Sequence, residues 1–292
     1  MKYIVVPDKL SDLAIYKEKG IDTFILGLES FSINYPTVKI DEIKELSKNY
    51  KLFIAVNKNI FNSELADLLE KLKELSKLDI LGVLYYDLGV LNLVTQNKIA
   101  LDLVWHQTHM VTNYNTCNYY LDKGVKYAFL ANEITLDEIL EIKEKSNIKL
   151  LVNVFGYPIA SHSRRMLLSN YFKSIDKVKE DRIYSLTEHN NKLLIKENKD
   201  GASILFGNIT NGTKPLFSLI ENNIDYCVLD MQDIDKDLCL KVIDKYNYIN
   251  DNYNTISDSE KEEIIDYMNK LIGESTNFFY KKTIYKVKRG DK

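Results

Sequence analysis

Short apolar runs alternate with segments of helical periodicity along most of the 292 residues. Continuous apolar runs are typical of strands that are buried on both faces of a parallel sheet. Most runs are followed by a helical pattern, so the sequence predicts an α/β fold. Eight strands favour a (β/α)₈ TIM-like barrel, although strand number alone leaves an open doubly wound sheet as an alternative. The eight runs are YIVV (3–6), TFILG (23–27), KLFIAV (51–56), ILGVLYY (80–86), ALDLVWH (100–106), YAFLA (127–131), KLLVNVF (149–155) and YCVLD (226–230).

The interval between the seventh and eighth runs, residues 156–224, is about twice as long as the others. Within it, KLLIKE (192–197) and ASILFG (202–207) flank an Asn-Lys-Asp-Gly segment, which predicts a β-hairpin inserted between the seventh and eighth strands. One more helical pattern and a basic tail follow the eighth unit. We therefore expect a barrel over residues 1–248, including this insertion, and a C-terminal helix with a basic aromatic tail over residues 249–292.

Charge and cysteine content restrict the class of protein. The chain carries 39 basic and 42 acidic residues, a formal charge of −3, so no global charge attracts it to nucleic acid. Its three cysteines are widely spaced and form no CxxC motif, which excludes a disulfide framework and a four-cysteine zinc or iron–sulfur site within this single chain. No apolar stretch reaches the roughly 18 residues of a membrane span. We expect a cytoplasmic protein with no membrane partner.

Polar residues at the carboxyl ends of the predicted strands are candidates for a functional site, because a parallel barrel builds its site there. We predict catalytic roles for Glu133, His106 and Asp87, whose side chains can exchange protons. An alternative for each carboxylate is a helix cap or a loop contact. The predicted substrate-binding residues supply carboxylate, amide or guanidinium groups, and they are Glu29, Asn57, Gln107, Asn132, Arg164 and Arg165.

Two other segments carry open alternatives. The stretch His106-Gln107-Thr108-His109 places two histidines three residues apart without a following carboxylate, so we predict no metal site there. The C-terminal tail is suited to contact RNA through phosphates and stacked bases, or it is a solvated basic end with an aromatic strand pinned to the barrel. Its basic residues are Lys281, Lys282, Lys286, Lys288, Arg289 and Lys292.

Several motifs resemble, in order, those of the collagenase-like peptidase family, peptidase family U thirty-two. They run from about residue 3 to residue 245, and they are GIDTFILGLESFSIN (20–34), VNKN (56–59), YYDLGVL (85–91), HQTHMVTN (106–113), LANEITLDEI (130–139) and FGYPIASHSRRMLLSNYF (155–172). Three further segments resemble a short branch of the family, and they are TNYNTCNYY (112–120), EHNNK (188–192) and TNFFYKKTIY (276–285). That branch is linked to prephenate-dependent hydroxylation of the wobble uridine of tRNA, alongside a longer, cluster-bearing paralogue.

The departures from the family pattern concern iron ligands. Hydroxylating family members hold a [4Fe–4S] cluster with four cysteines, but those positions fall here within Pro158–Ala160 and at Arg165 or Met166. The family's His-Gly is Phe155-Gly156, and its KIEGR segment becomes VLDM. The resemblance therefore implies a cluster-less partner in tRNA wobble-uridine 5-hydroxylation. It implies no cofactor in this chain, with the cluster and prephenate supplied through the paralogue, and tRNA as a further partner. A collagenase-like protease and a non-catalytic scaffold barrel remain alternatives.

Overall fold

The eight apolar runs form a closed parallel barrel in the computed structural model, which describes residues 1–188 and 191–281. Around the barrel the strands follow the order β1, β2, β4, β5, β6, β7, β8 and β14, and β1 pairs with both β2 and β14, which closes the sheet. The prediction of a (β/α)₈ barrel is confirmed, and the doubly wound alternative is wrong. The strands are β1 Lys2–Val6, β2 Thr23–Leu28, β3 Thr37–Val38, β4 Lys51–Val56, β5 Gly82–Tyr85, β6 Leu103–Trp105, β7 Tyr127–Phe129, β8 Lys149–Gly156, β9 Ile159–Ser163, β10 Tyr184–Glu188, β11 Asn191–Asn198, β12 Gly201–Phe206, β13 Thr210–Asn211 and β14 Tyr226–Asp230.

Helices cover the outside of the barrel between successive strands. Several begin at side-chain caps: at the start of α6, the Thr135 hydroxyl accepts from the amide of Glu138, whose carboxylate accepts from the Thr135 amide at 2.7 Å. None of the helices in residues 1–188 and 191–281 is long and apolar enough to cross a lipid bilayer. The helices are α1 Leu13–Glu18, α2 Ile40–Leu46, α3 Leu65–Leu75, α4 Leu88–Gln96, α5 Tyr114–Asp122, α6 Leu136–Lys145, α7 Leu167–Ser174, α8 Thr213–Glu221, α9 Lys236–Asn252 and α10 Asp258–Ile272.

The barrel strands bury residues on both faces, which explains why they read as continuous apolar runs. Outward-facing residues such as Val5, Phe24 and Leu52 pack against the helices. Inward-facing residues alternate with them because successive side chains of a strand point to opposite faces. They form a separate cluster inside the barrel: Ile4, Val6, Ile25, Phe53, Ala55, Leu84, Val104, Tyr127, Phe129, Leu151, Tyr226 and Val228.

The long interval after β8 forms a small antiparallel sheet beside the barrel, with strand order β10, β11, β12 and β9. Strands β11 and β12 pair up to the Asn198–Gly201 turn. Gly201 has φ of 128°, and a Cβ there would lie 2.1 Å from the carbonyl oxygen of Ser163, so only glycine fits this turn against β9. The turn therefore holds the tip of the small sheet close to the chain that leaves the barrel.

A buried carboxylate anchors α7 to the small sheet. The Glu197 side chain, on β11, is fully buried, and it accepts hydrogen bonds from the amides of Leu168 and Ser169 at 2.7 and 3.1 Å and from the Ser169 hydroxyl. Lys179 lies 3.9 Å away. Since the first amides of a helix have no partner within the helix, this carboxylate satisfies groups that would otherwise be buried without one.

The segment after α10 crosses the side of the barrel. The Asn211 side chain donates to the carbonyl oxygen of Gly273 at 2.8 Å, and the Leu136 amide donates to the carbonyl oxygen of Phe279 at 2.9 Å. Phe279 is buried, while Lys281 is the last described residue. The predicted basic tail from residue 282 onward lies outside the described residues.

Replacement of Glu197 should destabilise the protein strongly. Glu197→Ala leaves two amides and a hydroxyl buried without an acceptor, so we expect a loss of about 3 kcal/mol in the free energy of unfolding, measured by urea denaturation. Glu180→Ala is the control, because the exposed Glu180–Arg182 ion pair should contribute less than about 1 kcal/mol. Equal losses in the two variants would contradict the anchoring role.

Candidate functional site

A cavity of about 530 Å³ opens at the carboxyl end of the barrel, and we call it the mouth. Its floor continues the inward face of the strands. Each of five polar lining residues lies two positions after an inward core residue, so the same alternation points it into the barrel. These residues are Asn57 after Ala55, Tyr86 after Leu84, His106 after Val104, Asn153 after Leu151 and Asp230 after Val228.

Loops and the small antiparallel sheet form the wall of the mouth. The loop between β2 and β3 contributes Asn34 and Tyr35, and the turn between β11 and β12 contributes Lys199 and Asp200. The chain after β8 adds further lining groups, which are Tyr157, Ile159, Ser161, His162 and Arg164. The mouth is therefore built jointly by the barrel and by the insertion between β8 and β14.

His106 is a neutral imidazole at the floor of the mouth. Its ring stacks on Phe129 with centroids 4.5 Å apart and an interplanar angle of 17°, and Tyr35 approaches edge-on at 6.4 Å. Burial lowers the pKa of His106 to about 4, so it carries no charge at neutral pH. Its Nδ1 atom is buried and has no hydrogen-bond partner among the described residues.

Asp230 is the acidic group of the floor. Burial raises its pKa from 3.8 to about 6, although hydrogen bonds from Gln232 and the nearby Lys196 oppose the shift. Its Oδ1 accepts from the amide and from the side chain of Gln232 at 3.1 and 3.2 Å. Gln232 also donates to the carbonyl oxygen of Asn34 at 2.8 Å, which ties β14 to the loop that carries Tyr35. Burial, and to a smaller extent the charge of Asp230, raises the pKa of the Tyr35 phenol, so the phenol stays protonated.

His162, Ser203 and Asn34 form a hydrogen-bonded chain between the small sheet and the barrel loop. The Ser203 hydroxyl donates to Oδ1 of Asn34 at 2.6 Å, and it lies 2.9 Å from Nδ1 of His162. Because the hydroxyl proton is committed to Asn34, His162 donates from Nδ1 and its Nε2 is an acceptor. Nε2 is buried without a partner among the described residues, and burial lowers the pKa of His162 against the opposing effect of the Asp200 backbone.

Four of the predicted site residues line the mouth, and these are His106, Asn57, Asn132 and Arg164. Asn57 also fixes the wall: its side chain accepts from the Ser32 hydroxyl at 2.7 Å and from the Ile33 amide at 3.0 Å. The Arg164 guanidinium lies over the Phe61 ring at 4.4 Å, at the exposed rim. These four residues therefore lie around one cavity, and their roles in binding or catalysis remain predictions.

The other predicted residues are outside the lining. Asp87 caps α4, with its two oxygens accepting from the amides of Gly89 at 2.8 Å and Ile60 at 3.0 Å. Gln107 accepts from the Trp105 indole at 2.9 Å and donates to the carbonyl oxygen of Tyr86 at 2.8 Å. These side chains hold backbone and core groups in place, so their contacts are structural.

Three charged candidates point elsewhere. Glu133 contacts Nδ1 of His109 at 2.9 Å on the partly exposed rim. Glu29 and Arg165 are exposed and do not line the mouth. Tyr86 and Asn153, which the strand-end list omitted, take part instead. Counting two positions from the last apolar inward residue of each run would have selected them, together with Asp230, and rejected Asp87 and Gln107.

The cysteines do not fit a [4Fe–4S] cluster. They lie on three separate elements, Cys117 on α5, Cys227 on β14 and Cys239 on α9, and all are buried. Burial raises the pKa of both Cys117 and Cys239 to about 12, so these thiols are not thiolates at neutral pH. Among the described residues, no three His, Cys, Asp or Glu side chains are grouped as metal ligands.

The fold and the mouth define a (β/α)₈ barrel with a partly enclosed cavity, lined by polar and aromatic residues, at its carboxyl end. A model of peptidase family U32 matches residues 8–288, so the chain belongs to that family. The chain is 27% identical to tRNA hydroxylation protein P2 of Bacillus subtilis (strain 168), covering 97% of this chain and 98% of that protein. It is 27% identical to tRNA hydroxylation protein P1 of the same strain over 57% of this chain and 41% of that protein. The chain is also 27% identical to tRNA hydroxylation protein P of Haemophilus influenzae, over 54% of this chain and 34% of that protein.

Asp230→Asn should stabilise the protein at alkaline pH. With a pKa raised from 3.8 to about 6, ionising Asp230 costs more in the folded state than in the unfolded chain. The penalty is absent below the unfolded pKa and complete above the folded one. Asparagine keeps the acceptor for Gln232, so we expect a gain of about 2 kcal/mol at pH 8 that disappears near pH 3.5, measured by urea denaturation.

Asp181→Asn is the control, because Asp181 is exposed and carries no burial penalty. A gain for Asp230→Asn that stays constant across this pH range would show that the carboxyl is not destabilised by its burial.

Proposed function

We propose that this protein acts in tRNA hydroxylation. The observation that carries this proposal is the end-to-end similarity to tRNA hydroxylation protein P2, which covers 97% of this chain and 98% of that relative. Two more relatives that match share the same kind of name. The mouth supports the proposal because it is a preformed polar cavity at the end of the barrel where ligands bind in this architecture.

More specifically, we propose that the reaction is 5-hydroxylation of the wobble uridine and that this chain works with a cluster-bearing paralogue. The chain lacks a cysteine set for a cluster of its own, so the [4Fe–4S] cluster and prephenate are assigned to the partner. A stretch that makes up 57% of this chain makes up only 41% of tRNA hydroxylation protein P1, which is therefore longer. A longer relative beside a short one fits such a pair.

Within this role, His106 is the residue of the predicted catalytic set that the structure favours. It reaches the mouth, it is neutral, and its Nδ1 is free to exchange a hydrogen bond with a ligand. Asn57, Asn132 and Arg164 line the same cavity, which supports assigning them to substrate binding. Glu133 and Asp87 act on neighbouring protein groups, so we assign them positioning roles.

A peptidase role has no comparable support in the described residues. In residues 1–188 and 191–281, the one serine in hydrogen-bond contact with a histidine is Ser203, which is only 2% exposed and donates its proton to Asn34. A nucleophilic serine must instead give its proton to the histidine and reach the substrate. The buried cysteines are protonated at neutral pH, as described above.

A purely structural barrel is also less well supported. Buried polar atoms without partners destabilise a fold, and two such atoms, on His106 and His162, belong to residues that line one cavity. A scaffold has no use for this arrangement, whereas a ligand that fills the mouth can satisfy both atoms.

Deletion of the gene should abolish or strongly reduce 5-hydroxyuridine in tRNA. The nucleosides of total tRNA are separated and quantified by mass spectrometry, and re-expression of the wild-type chain should restore the modification. Re-expression of a chain with Asn132→Ala and Arg164→Gln tests whether the mouth takes part. Unchanged 5-hydroxyuridine in the deletion strain contradicts the proposed function, and full rescue by the double variant favours a scaffold.

Affinity purification of the tagged chain from its own cells should recover a longer, cysteine-rich paralogue that carries iron. The paralogue is identified by peptide mass spectrometry and iron by elemental analysis. A tagged wild-type chain mixed into the lysate after cell breakage controls for binding after lysis. Recovery of the chain alone, at stoichiometric yield, would contradict the partnership.

A further inference from the structure

The mouth has a floor of rings and carboxamides without a cation, and two cations at its rim. Its floor and lower wall present carboxamides and neutral rings: Asn34, Asn132 and Asn153, with His106, Phe129 and Tyr35. The single carboxyl of the floor is Asp230. Two of the cations that line the cavity, Arg164 and Lys199, are exposed at its edge, where Asp200 also lines the wall. A ligand that matches this arrangement has an uncharged inner part and an anionic outer part.

The inner part of the ligand site is suited to a planar ring with hydrogen-bonding edges. The stacked pair of His106 and Phe129 provides a flat surface, with the Tyr35 ring edge-on to it. Each carboxamide supplies a donor and an acceptor together, which is how proteins bind the edges of nucleobases. The side chain of Asn132 makes no hydrogen bond within residues 1–188 and 191–281, and Nδ1 of His106 likewise lacks a partner there.

The outer part of the mouth, at its rim, is suited to bind a single phosphate. Arg164 is held over Phe61, and no carboxylate of the described chain lies within ion-pair distance of its guanidinium. The third cation of the lining, Lys58, is already engaged with Glu64 at 2.7 Å. A guanidinium at the entrance of a cavity, with no ion-pair partner in residues 1–188 and 191–281, is a favourable binding group for a phosphate.

We propose that the mouth holds one nucleotide of a single-stranded RNA, with its base against His106 and its phosphate at Arg164. The proposal deepens the proposed function and rests on it only for the source of the nucleotide. A base is turned out of its strand to enter such a pocket, where stacking and edge hydrogen bonds hold it. A small dicarboxylic acid fits less well, because its charges would meet Asp230 and a neutral histidine at the floor instead of cations.

The test follows the ring resonances of His106 by nuclear magnetic resonance in the full-length protein, while calorimetry measures affinity. The chain has only 4 histidines, so each ring is resolved, and His106→Gln assigns the signal. The probes are uridine 5′-monophosphate, uridine, a short RNA stem-loop with an unpaired uridine, and prephenate as the dicarboxylate. We expect the monophosphate to shift the His106 signals and uridine to bind about tenfold more weakly.

Arg164→Gln should weaken the binding of the monophosphate about tenfold and leave the binding of uridine unchanged. Arg182→Gln is the matched control, because Arg182 also stacks on an aromatic ring at 4.4 Å, that of Tyr184, and does not line the mouth. Both variants remove one exposed positive charge, so a general electrostatic effect would appear in both. The stem-loop should compete with the monophosphate, which distinguishes a nucleotide of RNA from a free mononucleotide.

Three outcomes would overturn the proposal: prephenate shifts His106 while the nucleotides do not, no probe shifts it, or the stem-loop binds without moving it. Each of these leaves the proposed function intact if deletion still abolishes 5-hydroxyuridine. Conversely, unchanged tRNA in the deletion strain together with nucleotide binding at His106 would contradict the function and keep the site.

Discussion

The two-residue alternation of a strand in a closed parallel sheet is the constraint on which the rest of the structure depends. Because the barrel strands are buried on both faces, every second residue must fit either the inside of the barrel or the layer under the helices. Val104 and Val228 belong to the inner layer. The side chains two positions later, those of His106 and Asp230, therefore also point into the barrel. The polar floor of the mouth thus consists of the inward positions that follow the last apolar layer of the barrel core.

This constraint also explains which parts of the site could be predicted. Eight apolar runs were enough to predict the barrel, since their spacing and their apolar composition fit few architectures for a chain of this length. Selecting polar residues at strand ends found His106 and Asn57, but it also selected Asp87 and Gln107, one position out of phase. Asp87 turns to the amides of Gly89 and Ile60 because a residue that faces neither core layer satisfies the backbone around it.

The wall of the mouth could not be read from sequence in the same way. Asn34 and His162 are more than a hundred residues apart, and they are joined through Ser203, which links strand β12 of the small sheet to the loop between β2 and β3. No local pattern encodes such a contact. The neutral state of His106 is likewise a property of burial, since the same histidine in a solvated loop would titrate near its ordinary pKa.

The mouth has two supports of different construction. The floor belongs to a barrel closed by continuous strand pairing, whereas the wall belongs to a small sheet that contacts the barrel loops through the Ser203–Asn34 hydrogen bond and the Lys196–Asp233 ion pair. Local opening is easiest where few contacts resist it, so we expect the wall to open before the barrel unfolds. A ligand that contacts both the floor and the wall would oppose this opening, so part of its binding free energy would be used to keep the wall in place.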